Sequence, residues 1–243
     1  MSARRLSFYE KFSYALGDTA SNLYFQFFSI FIVYYYTDVY GLDPAVVTTM
    51  LLTVKLWDWI TDPVMGIIAD RTRTRWGKFR PYLLWMSVPY GLLGYLMFIN
   101  PDLDESGKLT FAYVSYILMM TAYTAINVPY GALMGVMTSC SSERLTLGTF
   151  RFVGAFSAAI VLGMSVRPLV RMLGGEDELA GFQYTMAIFA VLSVLLFLQT
   201  FRGTRERVTP PADQDMHIGT DIRVLVKNTA WIVMVVAGIF TLA

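Results

Sequence analysis

The second long apolar stretch of the sequence reads AVVTTMLLTVKLWDWITDPVMGIIA over residues 45–69. A helix rises about 1.5 Å per residue, so about 20 apolar residues cross the roughly 30 Å hydrocarbon core of a bilayer. Lys55, Asp58 and Asp62 lie inside this stretch, although a charge at the centre of a membrane helix costs roughly 2.5 to 3.5 kcal/mol. The stretch therefore predicts a transmembrane helix whose charged residues have a function.

Five further apolar runs flank this segment, separated by short loops that carry charges, proline or glycine. They occupy residues 14–36, 82–99, 109–137, 150–173 and 182–201. The runs are continuously apolar and do not alternate with a period of two, which favours helices over a β-barrel. The sequence predicts an all-α membrane protein in which residues 1–201 form a bundle of six transmembrane helices.

The overall composition agrees with a membrane location. Of the 243 residues, 56% are hydrophobic and 15% are charged, whereas soluble domains average about 25% charged residues. This almost excludes a water-soluble globular enzyme, and we predict that the protein is not an enzyme and uses no cofactor. The formal net charge of +1 gives no reason to expect nucleic-acid binding. The single Cys140 and the single His217 exclude an internal disulfide and a histidine metal cluster.

The character of the chain changes after residue 201. Residues 202–228 contain many charged residues and two adjacent prolines, which indicates a polar cytoplasmic linker. The final run, residues 229–243, has 15 residues, and a full span needs roughly 20. We therefore expect a seventh transmembrane helix that is cut short, so that the chain is one half of a larger transporter plus the beginning of the missing C-terminal half.

Positive charge is distributed unevenly between the two ends of the predicted helices. Fourteen lysine and arginine residues fall at the end that includes the N-terminus, and three fall at the other end. Because loops rich in lysine and arginine stay in the cytoplasm, we predict a multi-pass protein of a bacterial inner membrane with a cytoplasmic N-terminus.

The three charged residues of the second span share one face of the helix. At 100° per residue, Lys55, Asp58 and Asp62 fall within an arc of about 60°. Two carboxylates one turn apart on a buried face either share a proton or bind a hard cation, since two ionised groups would repel each other. The alternative is a charge-compensated helix contact in which Lys55 neutralises one aspartate.

A stripe of polar residues follows the first span, at spacings of four, four and three. It comprises Asp18, Asn22, Gln26 and Ser29 within an arc of about 80°. The stripe favours a water-filled path, and interhelical hydrogen bonding is the alternative for each residue taken singly.

Polar residues also occur in the fourth and fifth spans. Thr124 and Asn127 precede Pro129, where a freed carbonyl group could line a cavity. Gly131 and Gly135 follow in the fourth span and predict a close-packed helix contact. At the start of the fifth span, Arg151 is either an anchor that reaches the membrane interface or a buried partner for substrate or a carboxylate.

The loop after the second span combines a glycine, an aspartate and several basic residues. We expect Gly66, Asp70, Arg71, Arg75 and Lys78 to form a cytoplasmic gate whose ion pairs change as helices move. An ordinary positive-inside loop would explain the charges but not the order of glycine, aspartate and arginine.

Four motifs carry a resemblance to a known family. The pattern Gly66-x-x-x-Asp70-Arg71 resembles the major facilitator signature between the second and third helices. The strings YYYTDV at 34–39, WDxxTDPxMG at 57–66 and RWGKFRP at 75–81 resemble the glycoside-pentoside-hexuronide:cation symporters, the melibiose permease-like branch of that superfamily. The resemblance covers essentially the whole chain as the N-terminal half of such a symporter.

The resemblance implies a cation site at Asp58, Asp62 and Thr124, with Thr61 where a family member has asparagine. If the coupling ion is Na⁺, Asp58 and Asp62 would be its metal ligands; the other candidate is H⁺.

The resemblance also implies a sugar site. The carboxylates of the family's first and fourth helices correspond to the amides Asn22 and Asn127, and Arg151 matches an arginine near the sugar. Asp18 and Gln26 of the polar stripe complete the predicted substrate site.

The implied function is secondary active symport of a sugar or glycoside with a cation, by alternating access. One alternative keeps the fold and changes the cargo to a uronide, a sulfonated sugar or an amphiphile, with Arg151 as its counter-charge. Another is a non-transporting regulatory membrane protein. An intramembrane aspartyl protease is disfavoured, because such enzymes place their two aspartates on separate helices and Asp58 and Asp62 share one.

Overall fold

The computed structural model of the chain describes residues 5–208 together with residues 229 and 233. Seven α-helices follow one another in residues 5–208, and a π-helical turn, Tyr35–Val39, extends the first of them. They are α1 (Phe8–Tyr34), α2 (Pro44–Arg71), α3 (Arg80–Trp85), α4 (Ser87–Leu96), α5 (Glu105–Met137), α6 (Ser141–Gly174) and α7 (Glu178–Gly203). The described part of the chain contains no β-strand, which confirms the predicted all-α class.

Side-chain caps mark where several helices begin. Ser7 and Glu10 form a capping box at the start of α1, in which each side chain accepts from the other residue's backbone N–H. Asp43, Asp104 and Asp177 accept backbone N–H groups in the first turns of α2, α5 and α7. These polar caps end the connecting loops and fix the helix starts.

The helices correspond to the predicted apolar runs with two differences. The predicted run 82–99 is divided at Met86 into α3 and α4. The last helix continues to Gly203, two residues beyond the predicted end of the sixth apolar run at residue 201. Residues 5–208 form one compact unit. The rest of the predicted linker, and the predicted seventh helix except residues 229 and 233, lie outside the described residues.

Three helices, α5, α6 and α7, are long and apolar enough to cross a membrane by length and composition. The count of six spans and the start of a seventh stays a prediction. Large apolar side chains on α2 and α6 point away from the bundle, for example Trp59 at 68% and Met164 at 74% exposure. Unburied apolar faces of this kind suit lipid or another protein surface, not water.

Aromatic side chains fill the core, and α1 lies at its centre. The Phe27 ring of α1 meets Phe98 at 5.0 Å and Phe182 at 5.9 Å between ring centroids. Tyr14 of α1 and Tyr130 of α5 stack at 4.8 Å. The Tyr130 hydroxyl also donates to the Tyr14 carbonyl oxygen at 2.7 Å, so these buried polar groups are satisfied inside the bundle.

The contact between α1 and α6 depends on a glycine. A Cβ atom at Gly154 would lie 2.6 Å from the Ala15 carbonyl oxygen and 3.0 Å from Thr19 Oγ1. Gly163, farther along the same helix, has nothing within 4 Å of the equivalent position. The two glycines therefore differ in their surroundings although they share a helix.

We predict that Gly154→Ala destabilises the protein by about 1 to 3 kcal/mol, because the added methyl group meets backbone. The matched control Gly163→Ala should leave stability unchanged or raise it by up to about 1 kcal/mol, since alanine favours the helix. Thermal unfolding of both variants in detergent measures the difference. Equal stability of the two variants would contradict the α1–α6 packing described.

Candidate functional site

Two of the predicted cation-site residues are joined across α2 and α5. Thr124 Oγ1 donates to Asp62 Oδ1 at 2.7 Å, and Thr124 is buried. The Thr61 hydroxyl donates instead to the Trp57 carbonyl oxygen of its own helix at 3.1 Å. The structure therefore brings Asp62 and Thr124 together and leaves the Thr61 hydroxyl in its own helix turn.

Asp58 differs from Asp62 in having no described partner. Its Oδ1 atom is buried and accepts no hydrogen bond from any described residue. A buried carboxylate oxygen without a partner is costly, and a proton or a cation removes that cost. Within residues 5–208 no three Asp, Glu, His or Cys side chains cluster as a metal site.

Lys55 does not compensate these aspartates in the described part of the chain. It is exposed, and the ion pairs among residues 5–208 are Lys11–Glu143, Arg151–Asp18 and Arg207–Glu10. The charge-compensated contact through Lys55 that the sequence left open is therefore absent here.

Arg151 forms an ion pair with Asp18 across α6 and α1. Its Nη2 and Nε atoms lie 3.0 and 3.1 Å from Asp18 Oδ1. The guanidinium group also stands 5.2 Å from the Tyr130 ring centroid. Of the two alternatives for Arg151, the structure favours the partner of a carboxylate over the interface anchor, with the arginine itself half-buried.

The polar stripe of α1 continues from this ion pair as a hydrogen-bonded row. Asn22 Nδ2 donates to the Asp18 carbonyl oxygen at 2.8 Å, and Gln26 Nε2 donates to Asn22 Oδ1 at 3.3 Å. Ser29 is exposed and donates to the Phe25 carbonyl oxygen, so it lies outside the row. Asp18, Asn22, Gln26 and Arg151 therefore form one connected polar group.

Asn127 of α5 bonds to α1 next to this group, and its two hydrogen-bond partners are residues that the sequence analysis missed. Its Oδ1 accepts from Ser21 Oγ at 3.3 Å, and its Nδ2 donates to the Tyr123 hydroxyl at 3.2 Å. Ser21 lies one helix turn after Asp18, and Tyr123 directly precedes Thr124. These positions beside known polar residues were the signal that could have found them.

The predicted gate residues do not form ion pairs with one another. Asp70 and Arg71 are exposed at the end of α2, and no ion pair among residues 5–208 includes them. The Arg75 guanidinium stacks 4.4 Å from the Trp76 ring centroid.

The glycine of the predicted gate and the two glycines of the predicted packing face have no neighbouring helix against them in the described part of the chain. Gly66, Gly131 and Gly135 have no described heavy atom within 4 Å of a Cβ position. The expectation of close packing at Gly131 and Gly135 is therefore wrong for residues 5–208. Residue spacing along one helix shows which face carries small residues, but it does not show whether another helix packs against that face.

Glu206, which sequence analysis did not single out, holds the loop between α2 and α3. Its carboxylate accepts from the backbone N–H groups of Lys78 at 2.9 Å, Phe79 at 2.8 Å and Arg80 at 2.9 Å. Gly77 beside it has φ +109°, a conformation that favours glycine. The side chain of Arg80 donates to the Phe201 carbonyl oxygen at 2.7 Å. The loop is thus fastened to the end of α7.

Further charged contacts join the remaining helices at the same end of the bundle. Arg207 pairs with Glu10 of α1, and its backbone N–H donates to the Val136 carbonyl oxygen of α5 at 2.8 Å. Lys11 Nζ lies 2.9 Å from Glu143 of α6, and this hydrogen bond lowers the pKa of Glu143. Burial opposes ionisation of Glu10, but hydrogen bonds from Arg207 and Ser7 hold its pKa below the ordinary value. Both carboxylates stay ionised at neutral pH.

Comparison with known proteins gives one family and several relatives. The model of the MFS/sugar transport protein family matches residues 13–243. The inner membrane symporter YicJ of Escherichia coli (strain K12) is 37% identical over 100% of this chain and 52% of its own length. The putative glycoside/cation symporter YagG of the same strain is 37% identical over 95% of this chain and 50% of its length. The isoprimeverose transporter of Lactiplantibacillus pentosus is 36% identical over 93% of this chain and 48% of its own length. The chain spans about half the length of these curated relatives.

We predict that Glu206→Gln loosens the loop between α2 and α3. Hydrogen bonds to a charged group contribute about 1.5 to 3 kcal/mol, so exchange of the Lys78, Phe79 and Arg80 amides should accelerate by about tenfold or more. Hydrogen–deuterium exchange with mass spectrometry measures this. Glu176→Gln, an exposed glutamate in the loop before α7, is the control and should leave these amides unchanged. Unaltered protection in Glu206→Gln would show that the carboxylate does not hold the loop.

Proposed function

Because the chain belongs to the MFS/sugar transport protein family of major facilitator symporters, we propose that it forms half of a carrier coupling sugar or glycoside uptake to a cation. The observation that supports cation coupling most directly is the buried Asp58 Oδ1, which has no described hydrogen-bond partner. A relative of similar sequence is named a glycoside/cation symporter, and another an isoprimeverose transporter. Relatives that span about twice this length suggest that a second half completes the carrier.

The proposed cation site consists of Asp58, Asp62 and Thr124, with Thr61 beside them. Asp62 is held by the Thr124 hydroxyl at 2.7 Å, so its orientation is set before any ion arrives. Asp58 would then supply the cation with an oxygen, Oδ1, that has no described hydrogen-bond partner. Na⁺ and H⁺ both suit this pair of carboxylates, because either neutralises charge that the apolar surroundings disfavour.

The proposed substrate site consists of Asp18, Asn22, Gln26, Asn127 and Arg151. The amide groups both donate and accept, which suits the paired hydroxyl groups of a sugar. The Arg151 charge is already balanced by Asp18 at 3.0 Å. A uronide or sulfonated sugar would have to compete with that carboxylate for Arg151, which favours a neutral cargo.

Coupling between the two sites would run through α5. Thr124 is part of the proposed cation site, and Asn127, three residues later, accepts a hydrogen bond from Ser21 of α1, which directly precedes Asn22. Cation binding at Asp62 and Thr124 would therefore act on the helix that also carries Asn127. Favourable cation binding and favourable sugar binding would then stabilise the same arrangement, as symport by alternating access requires.

The proposed orientation places the N-terminus in the cytoplasm of a bacterial cell. Contacts of Glu206 and Arg207 bring the basic loop 71–80 to the same end of the bundle as Glu10. A shared end for these positive charges agrees with the positive-inside rule. A relative named an inner membrane symporter supports the inner membrane as the location.

We predict that Asp58→Asn abolishes cation-driven sugar accumulation in the complete carrier. The amide resembles a protonated carboxyl group but cannot release a proton or bind a cation by charge, so sugar exchange down a gradient should persist. Uptake into proteoliposomes with and without a cation gradient separates the two activities. The control is Asp43→Asn at the start of the same helix, because asparagine also caps helices. Accumulation at the parent rate in Asp58→Asn would refute the coupling role.

A further inference from the structure

A second hydrogen bond joins α2 and α5 one turn away from the bond between Thr124 and Asp62. Trp57 Nε1 donates to Thr121 Oγ1 at 2.9 Å. Thr121 and Thr124 are three residues apart, so they lie on the same side of α5. The two helices are therefore joined by two polar contacts, and Asp58 lies between Trp57 and Asp62 in the sequence.

The hydroxyl of Thr121 both donates and accepts a hydrogen bond. It donates its single proton to the Ile117 carbonyl oxygen at 2.8 Å, which leaves a lone pair to accept from Trp57. An indole N–H only donates. Trp57 is therefore the donor and Thr121 the acceptor, and replacement of either group removes the hydrogen bond.

Asp58 lies next to Trp57 and has a buried oxygen that accepts no hydrogen bond from any described group. A shift of α2 along α5 would change which groups of α5 face that oxygen, and Thr124 of α5 already donates to the nearby Asp62 at 2.7 Å. A contact that fixes the two helices at the level of residue 57 prevents such a shift.

We propose that the hydrogen bond between Trp57 and Thr121 is a positioning contact, which fixes α2 against α5 so that Asp58 Oδ1 stays available to the coupling cation. The inference rests on the proposed function, since it assigns these residues to the same cation site. Trp57 and Thr121 act through Asp58 and do not touch the cation themselves.

The test measures the accessibility of Asp58 in the complete carrier. Dicyclohexylcarbodiimide, an apolar reagent for protonated carboxyl groups, labels Asp58, and fragmentation mass spectrometry distinguishes it from Asp62. Labelling is followed in a Na⁺ series at fixed pH and in a pH series without Na⁺. The midpoint of protection is the measured quantity, and thermal stability is recorded for each variant.

Four variants separate positioning from general stability. Thr121→Val keeps the side-chain shape and removes the acceptor, and Trp57→Phe keeps an aromatic ring and removes the donor. Thr121→Ser keeps the hydroxyl and is the rescue variant. Thr110→Val is the control on the same helix, because Thr110 is exposed and its hydroxyl donates to the Ser106 carbonyl oxygen at 2.9 Å.

We expect Thr121→Val and Trp57→Phe to move the Na⁺ midpoint about 3- to 10-fold, or the pH midpoint by about 0.5 to 1 unit, as loss of one hydrogen bond allows. Thr121→Ser and Thr110→Val should match the parent within about twofold. If Thr121→Val cannot be recovered folded, Trp57→Phe gives the result alone.

Three results would overturn the proposal. Unchanged midpoints in Thr121→Val or Trp57→Phe, with or without loss of stability, would assign the contact a structural role only. A shift in Thr121→Ser equal to that in Thr121→Val would show that the hydroxyl is not the cause. Labelling of the parent that responds to neither Na⁺ nor pH would overturn the proposed function and this inference together.

Discussion

The need of a buried carboxylate for a partner is the constraint on which the rest of the structure depends. Three aspartates of α1 and α2 differ in how they meet it: Asp18 is buried, Asp58 is half-buried and Asp62 is exposed. Asp18 is paired with Arg151 at 3.0 Å, and Asp62 accepts a hydrogen bond from Thr124 at 2.7 Å. Asp58 keeps one buried oxygen without a described partner. In the proposed function, the balanced group around Asp18 binds a neutral sugar and the unbalanced group around Asp58 binds the cation.

The helices around these groups are joined to one another by aromatic stacking, hydrogen bonds and ion pairs. Tyrosine stacking and reciprocal hydrogen bonds join α1 to α5, and two polar contacts join α2 to α5. At the end that holds residues 5–13, Glu206 and Arg207 fasten the loop between α2 and α3, α1 and α5 to the chain that follows α7. We infer that residues 5–208 move as a unit during alternating access and that the basic loop moves with them.

Local sequence patterns predicted much of this arrangement. The features that they did not predict have physical reasons. Apolar runs and their charged interruptions located the helices, because burial in lipid leaves a strong composition signal. The break at Met86 left no such signal, since apolar residues continue across it. Spacing on one helix also identified the row Asp18, Asn22 and Gln26. Glu206 and the partner of Arg151 depend on contacts between residues more than 100 positions apart, which one helix pattern cannot show.

Reciprocal coupling between cation and sugar is the central claim, and paired binding measurements test it most directly. Isothermal titration of the complete carrier gives the sugar Kd with and without saturating cation, and the cation Kd with and without saturating sugar, for the tightest-binding glycoside of a panel. Thermodynamic linkage requires the two ratios to be equal, and we expect each to be about 5-fold or more. Sugar affinity that does not change with cation, although both ligands bind, would contradict the account.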